Sequence, residues 1–165
     1  MDIKKKLDEY LKIHLEVRDN FLGKAASKFG YAMEEDCSFN SLNIDNYIEK
    51  TKEDDTFQTK LFKLIDEKGV KDSDVYNKVD IDRRLFSKIR SNKNYHPSKN
   101  TVILLGIALE VDEEEIEELL KVASYSLPMN NTYDLIIRFC FREHIYDLNK
   151  INEFLYDHNC KLLNE

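Results

Sequence analysis

Between residues 56 and 147 the sequence marks the beginnings and ends of successive short helices. Thr56 is predicted to cap a helix that runs from Phe57 to about Lys68, with Gly69 just past its end. Asp112, with a glutamate three residues later, has the pattern of a capping box. Further helix caps are predicted at Asp72, Asp82, Ser98 and Asp147. Because the signals from Thr56 to Asp112 recur every ten to sixteen residues, about the length of an ordinary helix, the chain is expected to fold as a series of short, packed helices.

Within each segment the apolar residues recur at helical spacing, so that one side of each helix is expected to face a core. Pro128 and the pair Asn130-Asn131 break the chain, and two more helices are predicted at about 132–144 and 148–158. The short helix that Asp72 caps contains Val75, Tyr76 and Val79. In the next three helices the predicted inward-facing residues are Leu85, Phe86 and Ile89, then Val102, Leu105 and Leu109, and finally Ile116, Leu119 and Leu120.

The composition agrees with an all-α fold. Only four Gly and two Pro leave little room for hairpin turns, and the 165 residues are 42% hydrophobic, with nine Phe and nine Tyr to fill a core. The length predicts one domain, or one domain with a helical appendage. No apolar run approaches the roughly 18–20 residues of a membrane span. The N-terminus lacks the apolar segment of a secretory signal, so a cytoplasmic protein is predicted.

Residues 3–22 are predicted to form a helix with a seam of apolar and aromatic residues. Alternating spacings of four and three residues connect the seam positions, which are Ile3, Leu7, Tyr10, His14, Val17 and Phe21. One interpretation is an amphipathic helix packed on its own domain. The other is self-association through this helix, which would place a histidine in the seam of a homodimer.

The middle of the chain suggests a boundary. Residues 34–45 are rich in turn formers, and residues 50–55 form a charge run typical of a solvated linker. The chain is therefore divided into an N-terminal helical segment and linker at 1–55, a possible dimerisation arm, a central helical domain at 56–125, and a C-terminal helix pair at 126–165.

Charge is strongly segregated along the chain. The protein carries a net charge of −7, yet the stretch from Lys78 to Lys99 contains seven basic and two acidic residues. That stretch has a net charge of +5, which leaves −12 for the remainder. Much of the opposite charge lies in a second run, residues 108–120, which contains seven acidic residues. A basic island in an acidic chain suggests a contact surface for an anionic partner.

Residues 57–123 contain an ordered set of short motifs. Ile81 is an apolar residue in the turn before the basic helix, and Asp82 caps that helix. Pro97, Ser98 and Thr101 form a P-S-x-x-T pattern, and Ala108, Leu109 and Val111 form an A-L-x-V helix ending. In this order the motifs resemble the five-helix, lambda-repressor-like DNA-binding domain of the Cro/C1-type (Xre-like) repressors. The resemblance covers about 70 of the 165 residues. A narrower signature, residues 82–101, looks like small bacterial helix-turn-helix proteins of unsettled role.

The resemblance implies a transcription regulator that binds double-stranded DNA as a homodimer, formed through either the N-terminal helix or the helices after Pro128. The helix that Asp82 caps would lie in the major groove, because that is the docking geometry of the motif. Bases would then be contacted by the exposed side of this helix, namely Arg83, Arg84, Ser87 and Lys88. Phosphates would be contacted from the loop and helix start that follow, by Lys93, Tyr95, His96 and Lys99.

Two other interpretations of the basic stretch remain open. One is a protein-interaction module on a helix-turn-helix scaffold without specific DNA binding, in which this face docks an acidic partner. It rests on Asp74, Tyr76 and Asp80, which replace a glutamine, a small residue and a glycine of the resembled pattern. The other is a basic face neutralised by the chain's own acidic run. Arg90 replaces a common glutamate of the pattern, which is expected to remove an internal salt bridge.

No enzyme activity and no cofactor are predicted, because the sequence contains no P-loop, GxGxxG, GxSxG or HExxH motif. The three cysteines, which include Cys37, form no C-x-x-C pair and are predicted to be reduced thiols. A zinc site is one interpretation of the spacing C-x3-H-x13-H-x-C, although filling of the core by the first cysteine is the alternative. The four residues are Cys140, His144, His158 and Cys160.

Overall fold

The structure is a computed structural model that describes residues 2–25 and 56–164, with side chains for 2–15 and 56–164. These residues form eight α-helices and no strand, which confirms the all-α prediction for the described part of the chain. The helices are α1 (Ile3–Ala25), α2 (Phe57–Lys68), α3 (Asp72–Lys78), α4 (Arg83–Ser91), α5 (Lys99–Leu109), α6 (Glu113–Val122), α7 (Thr132–Arg142) and α8 (Leu148–Asp157). The predicted turn-rich segment, the linker and Cys37 lie outside the described residues.

Most helix ends follow from local chemistry, as the sequence predicts. The hydroxyl of Thr56 accepts a hydrogen bond from the Thr59 backbone N–H (3.2 Å), and Gly69 ends α2 in the left-handed conformation at φ 62°. The capping box of Asp112 and Glu115 is formed at the start of α6. The side chains of Asp82, Ser98 and Asp147 cap α4, α5 and α8 in the same way.

The prediction that Asp72 caps α3 was wrong. The capping position is Lys71, which has no side-chain hydrogen bond to the helix, and Asp72 is the first residue inside it. The carboxylate of Asp72 instead pairs with the guanidinium of Arg90 on α4. The carboxylate of Asp72 therefore forms an ion pair between two helices and does not cap its own helix.

Helix α5 lies at the centre of the fold, because nearly its whole length is buried and it packs against α2, α3 and α6. Gly106 allows a close approach of α5 to α6, since a Cβ atom placed there would lie 2.5 Å from Cδ1 of Ile116. Helix α7 packs on α6 and α8. The predicted central domain and the C-terminal pair therefore share one continuous buried core, which runs from Leu7 to Leu163.

Helix α1 packs on its own chain. Leu7 of its seam and the neighbouring Leu11 are buried, and the helix lies against α7. At its N-terminal end Lys4 forms ion pairs with Glu153 (2.6 Å) and Asp157 (3.1 Å) on α8. For residues 3–15 the structure therefore agrees with the interpretation of an amphipathic helix packed on its own domain, whereas the side chains of Val17 and Phe21, the last two seam positions, lie outside those that the structure describes.

None of the helices in residues 2–25 and 56–164 combines the length and the apolar character that a membrane span requires.

Candidate nucleic-acid interface

The turn between α3 and α4 places the basic helix on the core. Asp80 adopts the left-handed conformation (φ 54°), and the next amide, that of Ile81, donates a hydrogen bond to the carbonyl of Tyr76 (2.9 Å). Asp tolerates this conformation better than most residues, because its short polar side chain can interact locally. Ile81 is buried. The carboxylate of Asp82 then accepts hydrogen bonds from the first backbone N–H groups of α4 (2.6 Å from Arg84) and fixes where that helix begins.

An aromatic cluster holds the inner side of α4. Phe86 and Ile89 are buried, as predicted, whereas Leu85 is only half-buried. The ring of Phe86 meets Phe62 of α2 edge to face at 6.0 Å, and it lies 5.5 Å from Tyr76 of α3. Tyr76, which replaces the small residue of the resembled pattern, is therefore accommodated as a contact between α3 and α4.

The opposite side of α4 is open to solvent. All four residues that the sequence assigns to base contacts are exposed, namely Arg83, Arg84, Ser87 and Lys88. An α-helix with its side chains is about 10–12 Å across, so the exposed side of α4 can enter a DNA major groove, which is about 12 Å wide.

Four cations of this region have no anionic partner among the described residues. Arg83, Arg84 and Lys88 of α4 and Lys93 of the following loop are exposed and form no ion pair within the part of the chain that the structure describes. The ammonium of Lys88 lies 5.2 Å from the centre of the Tyr95 ring, which is half-buried at the edge of the face. We call Arg83, Arg84, Ser87, Lys88 and Lys93 the open basic face.

Three other basic residues of the same stretch are engaged within the fold. Lys78 pairs with Glu110, and Arg90 pairs with Asp72. Lys99, which the sequence assigns to a phosphate, donates from its ammonium to the carboxylate of Asp134 on α7. The structure therefore separates the seven basic residues into four that are available to a partner and three that join helices of this chain.

The acidic run is neutralised mainly by other helices. Glu115 and Glu118 pair with Lys68 and Lys60 of α2, and Arg138 of α7 binds Glu113 (2.8 Å) and Glu117. Within the described residues, Lys78 is the one member of the basic stretch that reaches this run. Self-neutralisation therefore does not account for the open basic face.

Tyr125, which was not predicted from the sequence to have a role, contacts the loop after α4. Tyr125, which follows α6, donates a hydrogen bond to the carbonyl of Pro97 (3.1 Å). Its ring packs edge to face on that of His96 at 5.3 Å. His96, a predicted phosphate contact, remains exposed. No local signal predicts this contact, because 28 residues separate Tyr125 from Pro97.

The four residues that the sequence offered as an alternative zinc site do not come together among the described residues. Cys140 is buried in the core, where burial raises the pKa of its thiol to about 12. His144 contacts the hydroxyl of Tyr146 (3.0 Å), and Nδ1 of His158 lies 2.8 Å from the carbonyl of Phe154. Within residues 2–25 and 56–164, no three His, Cys, Asp or Glu side chains are grouped so as to hold a metal ion.

Comparisons of the chain with protein-family models, with curated proteins and with solved structures find no match.

Proposed function

We propose that this protein is a sequence-specific regulator that binds double-stranded DNA through the open basic face. The proposal rests on one observation: α4 has a capped start, a buried aromatic side, and an opposite side on which Arg83, Arg84 and Lys88 form no ion pair with the described residues. On this proposal the five central helices of the protein, α2 to α6, would correspond to the lambda-repressor-like domain of the Cro/C1 class, and α3 and α4 would form the helix-turn-helix.

In the proposed complex α4 lies in the major groove. Arg83 and Arg84, in its first turn, contact base edges, because an arginine can donate two hydrogen bonds to one guanine. Ser87 and Lys88 follow one turn later on the same side. Lys93, Tyr95 and His96 in the loop contact phosphates, which position the helix and carry no base information. Lys99 is withdrawn from this group because its ammonium is bound by Asp134.

The proposed regulator acts as a homodimer, because proteins of this class bind two half-sites about 34 Å apart. The dimer contact would be made either by α1 or by the helices after Pro128, of which α8 has an exposed Tyr156 whereas α7 is largely buried. Sedimentation of the protein with a palindromic duplex measures this directly. Two protomers per duplex are expected, and one protomer per duplex at saturation contradicts the dimer.

Selection from a random duplex pool, at low and near-physiological salt, tests the DNA proposal. We expect an enriched palindrome. Arg83→Ala should lower discrimination at one base position by about 1–3 kcal/mol. Lys93→Ala should weaken binding to all duplexes and reduce the salt slope by about one unit. Lys121→Ala, which removes an exposed cation of α6 outside the face, is the matched control and should change neither property.

Docking of an acidic protein is the second candidate function. Asp74 and Asp80 favour it, because their carboxylates are exposed on α3 and its turn, close to where α4 would meet a phosphate backbone. The same selection separates the two candidates. If no sequence is enriched and weak binding disappears at near-physiological salt, the regulator proposal is refuted and the open basic face is assigned to a protein partner.

A further inference from the structure

Arg90 occupies an ambiguous place at the edge of the open basic face. It follows Ser87 by three residues and Arg83 by seven, so helical spacing puts it on the side of α4 that carries both. Its side chain is about half exposed. By charge and position it could therefore serve as a further DNA contact.

The contacts of Arg90 are with neighbouring helices of its own chain. Its Nη2 lies 2.7 and 2.6 Å from the two carboxylate oxygens of Asp72, the first residue of α3. Its guanidinium carbon lies 4.2 Å from the centre of the Phe62 ring on α2. Its backbone carbonyl accepts a hydrogen bond from the side-chain amide of Gln58, also on α2. One residue thus joins the last turn of α4 to both neighbouring helices.

These contacts complement the caps and the core of the same helix. Asp82 fixes the first turn of α4, and Phe86 anchors its middle against Phe62. The Phe62 ring contacts both Phe86 and Arg90. It packs edge to face with the ring of Phe86, and the guanidinium of Arg90 lies over it. Arg90 therefore ties the last turn of α4 to α2 and α3, beyond the anchor that Phe86 provides in the middle of the helix.

We propose that Arg90 is a positioning residue for DNA reading, an inference that rests on the proposed function. Its guanidinium holds the last turn of α4 against α2 and α3 and makes no contact with DNA. The resemblance predicts the loss of a salt bridge at this position, because Arg90 replaces a glutamate of the pattern. The structure has a salt bridge there nonetheless, in which Arg90 pairs with Asp72 on α3.

Two substitutions distinguish this role from a phosphate contact. Arg90→Lys keeps the charge, which satisfies a phosphate, but lacks the planar guanidinium that stacks on Phe62 and meets both oxygens of Asp72. Asp72→Asn leaves Arg90 in place and removes its partner. Lys93→Met serves as the matched control, because it removes a cation of the open basic face that has no ion-pair partner among the described residues.

The first readout is hydrogen exchange of the α4 backbone amides, measured on the protein alone. Because an exposed ion pair and a cation–π contact contribute modestly, we expect protection near Ile89 to fall about two- to fivefold in Arg90→Lys and in Asp72→Asn. Protection in α7 and α8 should not change in either variant, and the control should match the original protein throughout. Unchanged protection of α4 in both variants overturns the positioning role, whether or not the protein binds DNA.

The second readout is the ratio of affinities for the selected duplex and a scrambled one. If Arg90 positions α4, both Arg90→Lys and Asp72→Asn lower this ratio. If Arg90 contacts a phosphate, neither variant changes it, because phosphate contacts are independent of sequence. Should the original protein bind no duplex, the proposed function fails, and hydrogen exchange alone decides whether Arg90 holds α4.

Discussion

The ion pair between Lys99 and Asp134 gives a stability prediction that separates a structural lysine from a DNA-contacting one. Asp134 is the one charged residue that is buried within the described part of the chain, and 3% of its side chain is exposed, against 26% for Lys99. The side-chain amide of Asn131 donates to the same carboxylate. Replacing Lys99 with Met therefore leaves a buried carboxylate with a neutral partner and no cation.

The magnitude follows from this geometry. Removing one member of a fully buried ion pair costs about 3–5 kcal/mol. Since a quarter of the Lys99 side chain is exposed, water reaches the carboxylate once the ammonium is gone, and we expect a loss of about 2–3 kcal/mol for Lys99→Met. For a chain of this length, that corresponds to a fall in Tm of about 5–10 °C.

Urea unfolding followed by far-UV circular dichroism measures the effect. The variants are Lys99→Met, Asp134→Asn and the double variant, with Lys93→Met as a matched control that should stay within about 0.5 kcal/mol of the original protein. In the Asp134→Asn background no buried charge is left unpaired, so Lys99→Met should then cost less than about 1 kcal/mol. A loss below about 0.5 kcal/mol that is the same in both backgrounds refutes the reasoning and returns Lys99 to the candidate phosphate contacts.

Two further predictions concern the core. Gly106→Ala should lower the free energy of unfolding by about 1 kcal/mol, because crowding against Cδ1 of Ile116 outweighs the gain in helix propensity. Ile116→Val removes that atom, so urea unfolding of the double variant should show a smaller loss than the two single losses combined; an additive loss would contradict the contact. Burial raises the pKa of the Cys140 thiol to about 12, so mass spectrometry after treatment with a thiol reagent at mildly alkaline pH should find Cys140 unmodified until denaturant is added. The half-buried Cys160 is the internal comparison, and modification of Cys140 in the folded protein at the rate of Cys160 would show that the core admits the reagent.

The sequence by itself determined the helices, because the signals that begin and end a helix act over a few residues. The hydroxyl of Ser98 and the carboxylates of Asp82 and Asp112 reach backbone N–H groups two or three positions away. Any fold that keeps these segments helical keeps those bonds. For the same reason helical periodicity was sufficient to predict which residues of α4 are exposed and that Phe86 and Ile89 are buried.

The choice of partner for each charged side chain was decided by tertiary structure. Asp72 has the residue type and place of a cap, yet it pairs with Arg90, 18 residues away. Lys99 has the charge and place of a phosphate contact, yet it is bound by Asp134, 35 residues away. A cap competes with every cation that folding brings within reach, and an ion pair adds charge attraction to the hydrogen bond. The basic stretch is visible in the sequence, but which of its cations remain available to a partner depends on how the helices pack.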